Sequence, residues 1–295
     1  MKLKEIISEL RRYEIRIRKA VNTQMHGDFH SIFKGSGLEF DDVRQYQYGD
    51  DVRSVNWNIS AKGEGTYINT YKEEKEQSVF FVLDVSASQE IGAKEQQKID
   101  VARKICGILT LSALREDSSV GLLAFSDQKE VYIRPNKGRK HGYQIISRMF
   151  DLEPGSRKTD LSRAFGMTLS LLKRKSIVIV ISDFIDEGYE RNLRAIGHRH
   201  DAVALHIRDP RESRFPKLGI VPLYEKESGK VIWRNTSSSR FREQMEKTYR
   251  GSTDELASLC HRHNINYQVI NTNADYADEL VKLFRIRAVQ PTKRR

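Results

Sequence analysis

Cysteine is nearly absent. The 295 residues contain two, Cys106 and Cys260, far apart and with no CxxC pair. That usage excludes both a zinc ribbon and a disulfide scaffold. Long apolar runs are missing as well. Val79 to Leu83 and Ile177 to Ile181 are the longest, far short of the ~20 residues that span a bilayer. Met1 to Leu10 mixes charges with apolar residues and has no secretory apolar core, so a soluble cytoplasmic protein is expected. Enzyme signatures are lacking too. There is no GxxxxGK[ST] phosphate loop, no HExxH and no GxSxG. No carboxylate pair is clearly poised for general acid/base work, and the expectation is a protein that is not an enzyme.

What is present suffices for a core. Hydrophobic residues make up 38% and charged residues 31%, which argues against wholesale disorder. Lys and Arg exceed Asp and Glu by 11, an excess that permits attraction to acidic partners without identifying one. Leu3, Ile6, Ile7, Leu10, Tyr13, Ile17 and Val21 recur at helical spacing and predict a helix over Leu3 to Val21. Its other face carries Glu5, Glu9, Arg12, Arg16 and Lys19, read as a solvated face with ion pairs in preference to a docking face for a partner. Glycines at 27, 35, 37, 49, 63 and 65, with no long helical period, mark a small β-rich unit ending in an extended segment, Tyr67 to Lys72.

From Ser78 onward strands and helices alternate. Strands are predicted at Val79–Leu83, Val120–Phe125, Val131–Arg134, Ile177–Ser182, Ala202–Ile207 and Asn266–Ile270. Helices are predicted at Lys94–Leu114, Gly142–Phe150, Leu161–Leu172, Tyr189–His198, Ser239–His263 and Tyr276–Phe284. Ile220–Tyr224 and Val231–Arg234, around Glu227-Ser228-Gly229, read as a hairpin. Near-continuous apolar strands between amphipathic helices predict an α/β fold. Its doubly wound, mainly parallel sheet of the Rossmann type is covered on both faces. The expected domains are a helix and β-rich region over 1–75, the α/β domain over 76–288 and a frayed basic tail over 289–295.

In such sheets ligands bind beyond the carboxyl ends of the strands. Immediately after the first strand stands Asp84-Val85-Ser86-Ala87-Ser88, and Asp183 follows the Ile177 strand. Thr159 precedes a helix between them. Three hydroxyls and two carboxylates gathered at one edge suit a hard cation with oxygen ligands such as Mg²⁺. Without thiolates or an imidazole cluster, zinc or copper fits poorly. Singly, each residue has a plainer reading: Asp84, Ser86 or Thr159 as a helix cap, Asp160 as a favourable charge at a helix start, Asp183 as a loop residue.

Asp84-x-Ser86-x-Ser88, then Thr159, then Asp183, resembles the metal-ion-dependent adhesion site (MIDAS) of von Willebrand factor type A domains, over roughly Ser78 to Phe284. The resemblance implies that Ser86, Ser88 and Thr159 bind Mg²⁺ (or Mn²⁺) directly. It implies further that Asp84 and Asp183 act mostly through water and that an acidic residue of a partner protein completes the shell. Gly37-Leu38-Glu39-Phe40, Arg44, Tyr46, Gly49-Asp50-Asp51-x-Arg53, Trp57 and Ser60-Ala61 look like the signature of the domain-of-unknown-function 58 family, with Asn56 where that family usually has Asp. Members are often encoded beside MoxR-type AAA+ ATPases, which implies such an ATPase, or its client, as partner.

Other features read as structural. Asp50, Asp51 and Arg53 are expected to form a turn and ion-pair network with Trp57 as a core anchor. His198/His200 and His261/His263 form two HxH pairs near predicted helix ends, where cationic side chains favour the dipole. Arg134, Lys137, Arg139 and Lys140 read as a solvated basic loop. The expected function is therefore a Mg²⁺-dependent protein-interaction module in assembly or maturation of other proteins. A nucleic-acid-binding protein is the alternative, though no helix-turn-helix, RNP or zinc-finger pattern occurs. A metal-dependent hydrolase is the second alternative.

Overall fold

The computed structural model describes residues 3–25, 38–63, 65–73, 78–93, 96–212, 216–224, 229 and 231–289. Gly27, Gly35, Gly37, Lys94, the Glu227-Ser228 turn and the tail beyond Val289 lie outside the described residues.

The first helix, α1 (Leu3–Met25), runs further than its apolar stripe predicts. Ile6, Leu10, Ile17 and Val21 of that stripe are buried in the main core. The polar face is not left to solvent alone. Glu9 meets Lys104 at 2.9 Å and Arg16 meets Asp275 at 2.7 Å. The helix is thus docked within its own chain. Next come β1 (Leu38–Gln45), the four-residue α2 (Trp57–Ser60) and β2 (Tyr67–Glu73), with β1 and β2 paired antiparallel. Asp50 pairs with Arg44, both carboxylate oxygens accepting at 2.7 and 2.8 Å. Asp51 accepts from the Arg53 N–H. Asn56 caps α2 by accepting from Ile59 N and donates to Asn69 Oδ1 at 2.9 Å. Trp57 does not anchor a core as expected: it is 70% exposed on the surface of α2. A helix of one turn offers no second row of side chains to cover an indole.

The α/β part begins with β3 (Ser78–Asp84) and a tight hairpin, β4 (Gly92–Ala93) and β5 (Gln96–Gln97). At Gly92, φ is +147° and an added Cβ would lie 2.5 Å from Gln97 Cα, so this turn requires glycine. The hairpin delays the next helix, which opens at Lys98 instead of Lys94: α3 (Lys98–Arg115). There follow β6 (Ser119–Phe125), β7 (Lys129–Asn136), α4 (Arg139–Phe150), α5 (Leu161–Leu171) and β8 (Ile177–Ser182). Arg139 and Lys140 open α4, so that part of the basic stretch is helix and not loop. Then come α6 (Glu190–Arg199), β9 (Asp201–Arg208), the hairpin β10 (Ile220–Tyr224) and β11 (Val231–Asn235), α7 (Ser239–Arg262), β12 (Asn266–Asn271) and α8 (Tyr276–Val289).

Six strands form one sheet in the order β12-β9-β8-β3-β6-β7. Every pairing is parallel except β6 with β7. Helices cover both faces, which is why β8 reads as an unbroken run of Ile and Val. Val79, Phe81 and Leu83 face a core shared with α1, α3, α4 and α8. Phe80 and Val82 face one shared with α5, α6 and α7. Cys106 lies in the first core and Cys260 in the second, both free. The fold is thus the doubly wound α/β class expected, with the antiparallel edge strand common in mixed sheets.

Because Leu10 is buried against α3, Leu10→Ala is expected to cost about 3 kcal/mol of unfolding free energy. Denaturant melts unchanged from wild type would show that α1 is an appendage and not part of the core.

Candidate metal centre

Along the sheet, β3 has β6 on one side and β8 on the other, and chain order reverses between β3 and β8. A crevice opens at such a switch point beyond the carboxyl ends of the strands. Asp84 ends β3 and Asp183 follows β8 at that point.

Asp84 is fully buried and its carboxylate is saturated with donors. Oδ1 accepts from Ser86 N at 3.0 Å and from Ser86 Oγ at 2.7 Å. Oδ2 accepts from Ser182 Oγ at 2.6 Å and from Gln89 Nε2 at 3.3 Å. Ser86 Oγ lies 3.1 Å from Ser88 Oγ, and the Ser88 hydroxyl lies beside the Asp183 carboxylate. Asp183 Oδ1 accepts from Ile185 N at 3.2 Å and Oδ2 from Lys98 Nζ at 2.6 Å. Asp84, Ser86 and Ser88 therefore form one hydrogen-bonded chain that ends beside Asp183. Thr159 stands half-buried in the adjoining segment. That segment is tied by Ala87 N to Arg157 O at 3.0 Å and by Asp160 N to Ser126 O at 3.3 Å.

The plainer readings of two hydroxyls do not hold. Ser86 occupies the cap position of the 3-10 turn Ala87–Glu90 but makes no side-chain cap bond. Asp160, not Thr159, caps α5, accepting from Arg163 N at 2.7 Å. Phe184, directly after Asp183, has φ +54°, a region non-glycine residues seldom enter. Its N–H donates to Ser182 Oγ at 2.9 Å, and its ring packs edge-on to His206. The strained turn thus sets both the residue that holds Asp84 and the residue before it.

Sequence reasoning missed four participants. Ser182 and Gln89 hold Asp84. Lys98 is fully buried, and its ammonium bonds both Asp183 and the Glu212 carboxylate. It opens α3, where the helix dipole already disfavours a cation. Ser182 adjoins Asp183 and stood at the strand end marked for attention. Nothing local distinguishes Lys98 or Glu212, because 114 positions separate them.

The charges follow from this packing. Burial and the neighbouring Asp183 push the Asp84 carboxyl up to about 7. Burial works against charge on Asp183 as well, but the Lys98 ammonium outweighs it and holds Asp183 below the ordinary carboxylate range. Burial likewise opposes charge on Lys98. Asp183 and Glu212 overcome it and hold the ammonium's pKa above its usual value. Burial keeps Glu212 above its ordinary range despite the pull of Lys98.

Among the described residues no cluster of three His, Cys, Asp or Glu side chains is arranged to hold a metal. A cation here would depend on hydroxyl oxygens. The donor set fits that: the hydroxyl proton of Ser86 is spent on Asp84 and that of Ser88 on Ser86, which still leaves each oxygen a free lone pair. Gln89 Oε1 is a buried acceptor with no partner in the structure. Asp84 is committed to orienting the Ser86 and Ser182 hydroxyls, the arrangement of an outer-shell ligand, and Asp183 to the Lys98 ammonium. The imidazole of His206 is committed to Tyr267 Oη at 2.7 Å, and burial pushes its pKa down to about 3. Elsewhere the two HxH motifs meet, His198 lying 5.7 Å from His263 between ring centroids. Arg194 and Arg262 surround them, and His200 is buried.

Hydroxyls oriented by a buried aspartate thus lie at the switch point of a doubly wound α/β sheet. The chain belongs to the family described as protein of unknown function DUF58, which matches residues 42–255. An uncharacterized protein of Mycobacterium tuberculosis is 27% identical over 230 residues, covering 77% of this chain and 73% of that one. An uncharacterized protein of Mycobacterium avium is 24% identical over 157 residues, covering 52% and 92% respectively. The solved structure of the conserved hypothetical protein BatB from Bacteroides thetaiotaomicron shares 13% identity, with a TM-score of 0.45 over 72% of this chain and 100% of that one. The SpRpn10 VWA domain shares 12%, with a TM-score of 0.34 over 70% and 93%. Likenesses this distant say nothing about activity. Among the described residues no helix is long and apolar enough to cross a membrane.

Two outcomes test the site as described. In chelator, folded Asp84 keeps a proton between about pH 4 and about pH 7 that the unfolded chain has released. A carboxyl raised in this way favours folding less as pH rises through that window. Wild type should therefore lose stability relative to Asp84→Asn from about pH 4 to about pH 7. A flat difference would mean Asp84 is not buried beside a charged Asp183. Lys98→Met should cost about 3–5 kcal/mol by stranding two carboxylates, and the paired Lys98→Met/Glu212→Gln change should recover part of it. Thermal melts of the three proteins check this.

Proposed function

We propose that this chain is a protein-interaction module that captures an acidic residue of its partner through a bound Mg²⁺ or Mn²⁺. Ser86, Ser88 and Thr159 would hold the ion, and it would supply an electrophilic open position that a carboxylate can fill. The observation that carries this reading is the hydrogen-bonded chain Asp84–Ser86–Ser88, which ends beside Asp183. In this reading the carboxylates would act from outside the first coordination shell. Neutral hydroxyl ligands leave a cation's charge unquenched, so it retains its pull on an outside anion.

Two exposed apolar groups support an interaction role. One comprises Tyr48, Val52, Trp57 and Ile59 beside α2. The other lies on the β10–β11 hairpin, where the pairings Tyr224–Val231 and Pro222–Trp233 put Tyr224, Val231 and Trp233 on one exposed face with Ile220. Large aromatic and aliphatic side chains left in water are typical of surfaces that meet another protein. The family resemblance points to a MoxR-type AAA+ ATPase, or its client, as that partner, and to a role in assembly or maturation of other proteins. The competing reading, a nucleic-acid surface, rests on the exposed Arg134, Arg139 and Lys140. Lys137 of the same stretch already meets Asp117 at 3.3 Å. Salt-sensitive DNA or RNA retention in filter binding would favour it.

Calorimetric titration of Mn²⁺ into the full chain should give binding heat for wild type and at least about tenfold weaker binding for Ser86→Ala. Equal heats in the two proteins, or none in either with candidate partner present, would remove the metal reading. Affinity capture with wild type and Asp84→Ala should then lose the partners read through the ion.

A further inference from the structure

We propose that the buried Lys98–Glu212 pair sets the divalent-cation affinity of the site, Lys98 weakening it and Glu212 offsetting Lys98. The inference rests on the metal reading above. It concerns two residues that the five-residue pattern does not contain.

The placement of Lys98 is costly on three counts. It is fully buried, with its ammonium on Asp183 Oδ2 at 2.6 Å and on the Glu212 carboxylate. Burying a charge is expensive unless it is paired. The residue is also the first of α3, where the helix dipole repels a cation. In addition, a glycine-dependent hairpin is needed to deliver it, Lys98 N donating to Ile91 O at 2.9 Å at the close of β4–β5. The cheaper solution for stability alone is an apolar side chain of similar volume.

What the ammonium does is fixed by its contacts. It takes an oxygen of Asp183, the carboxylate beside the Ser88 hydroxyl. A fixed positive charge there opposes a divalent cation on the same hydroxyls through a low-dielectric interior, where such repulsion is poorly screened. Glu212 meets the same ammonium from the turn Pro210–Glu212 after β9. Its carboxylate returns one negative charge. With Asp84 ionised, as a bound cation would hold it, three carboxylates against one ammonium leave two net negative charges, the complement of one divalent ion. Removing Lys98 leaves three; removing the Glu212 charge leaves one. The two substitutions therefore act on cation affinity in opposite directions, whereas damage to the fold would weaken binding in both.

The test is Mn²⁺ alone, titrated calorimetrically into the full-length wild type, Ser86→Ala, Lys98→Met, Glu212→Gln and the double variant Lys98→Met/Glu212→Gln. Circular dichroism melts establish that each is folded. Binding about tenfold tighter is expected for Lys98→Met and about tenfold weaker for Glu212→Gln, with the double variant close to wild type. Weaker or unchanged binding in both single variants overturns the inference. Should Lys98→Met not fold, weakening in Glu212→Gln that the double variant restores supports it, and weakening that persists overturns it. If wild type binds and Ser86→Ala does not, while the Lys98 and Glu212 variants match wild type, this inference falls and the metal reading stands. If wild type itself binds no Mn²⁺, both fall.

Discussion

Two carboxylates buried side by side are the constraint around which this domain is arranged. Asp84 and Asp183 end adjacent parallel strands, and neither can be left uncompensated in that interior. The chain answers with two hydroxyls, a glutamine amide, two backbone N–H groups and a buried ammonium. Several departures from local preference trace back to this demand. They include the left-handed Phe184, the cation at the start of α3 and the glycine-dependent hairpin before it. Local rules broken together at one sheet edge mark a place where function, not stability, set the sequence.

Around that edge the rest of the molecule divides into scaffold and surface. The sheet is sealed on both faces, and α1 completes one of them. Most of its apolar stripe is spent inside the chain, and Glu9 and Arg16 on its polar face are engaged with Lys104 of α3 and with Asp275 just before α8. Further exposed apolar side chains lie on the small α2 unit and on the β10–β11 hairpin. Both belong to two-stranded units, too small to fold their own aromatic residues inward.

Much of this was legible beforehand. Unbroken Ile and Val runs identified the buried strands, and strand alternation with helices fixed their parallel pairing. Asp84, Ser86, Ser88 and Asp183 were therefore placed at one edge before any coordinate. Trp57 was misjudged, since an aromatic residue beside a turn network has no sequence mark telling whether neighbours exist to cover it. Half of the basic stretch proved helical, because α4 opens at Arg139 and takes in Lys140.

By itself the sequence determined the sheet, its two covered faces and the oxygen-rich edge, because each rests on patterns of a few consecutive residues: period two, period 3.6 and strand-end chemistry. Only the tertiary structure decided that Lys98 and Glu212 join that edge, that α1 seals the core and that two apolar clusters stay in water. Those outcomes depend on which distant segments pack together. Buried charge pairing and solvent exclusion are properties of the assembled interior, with no counterpart in any short stretch of chain.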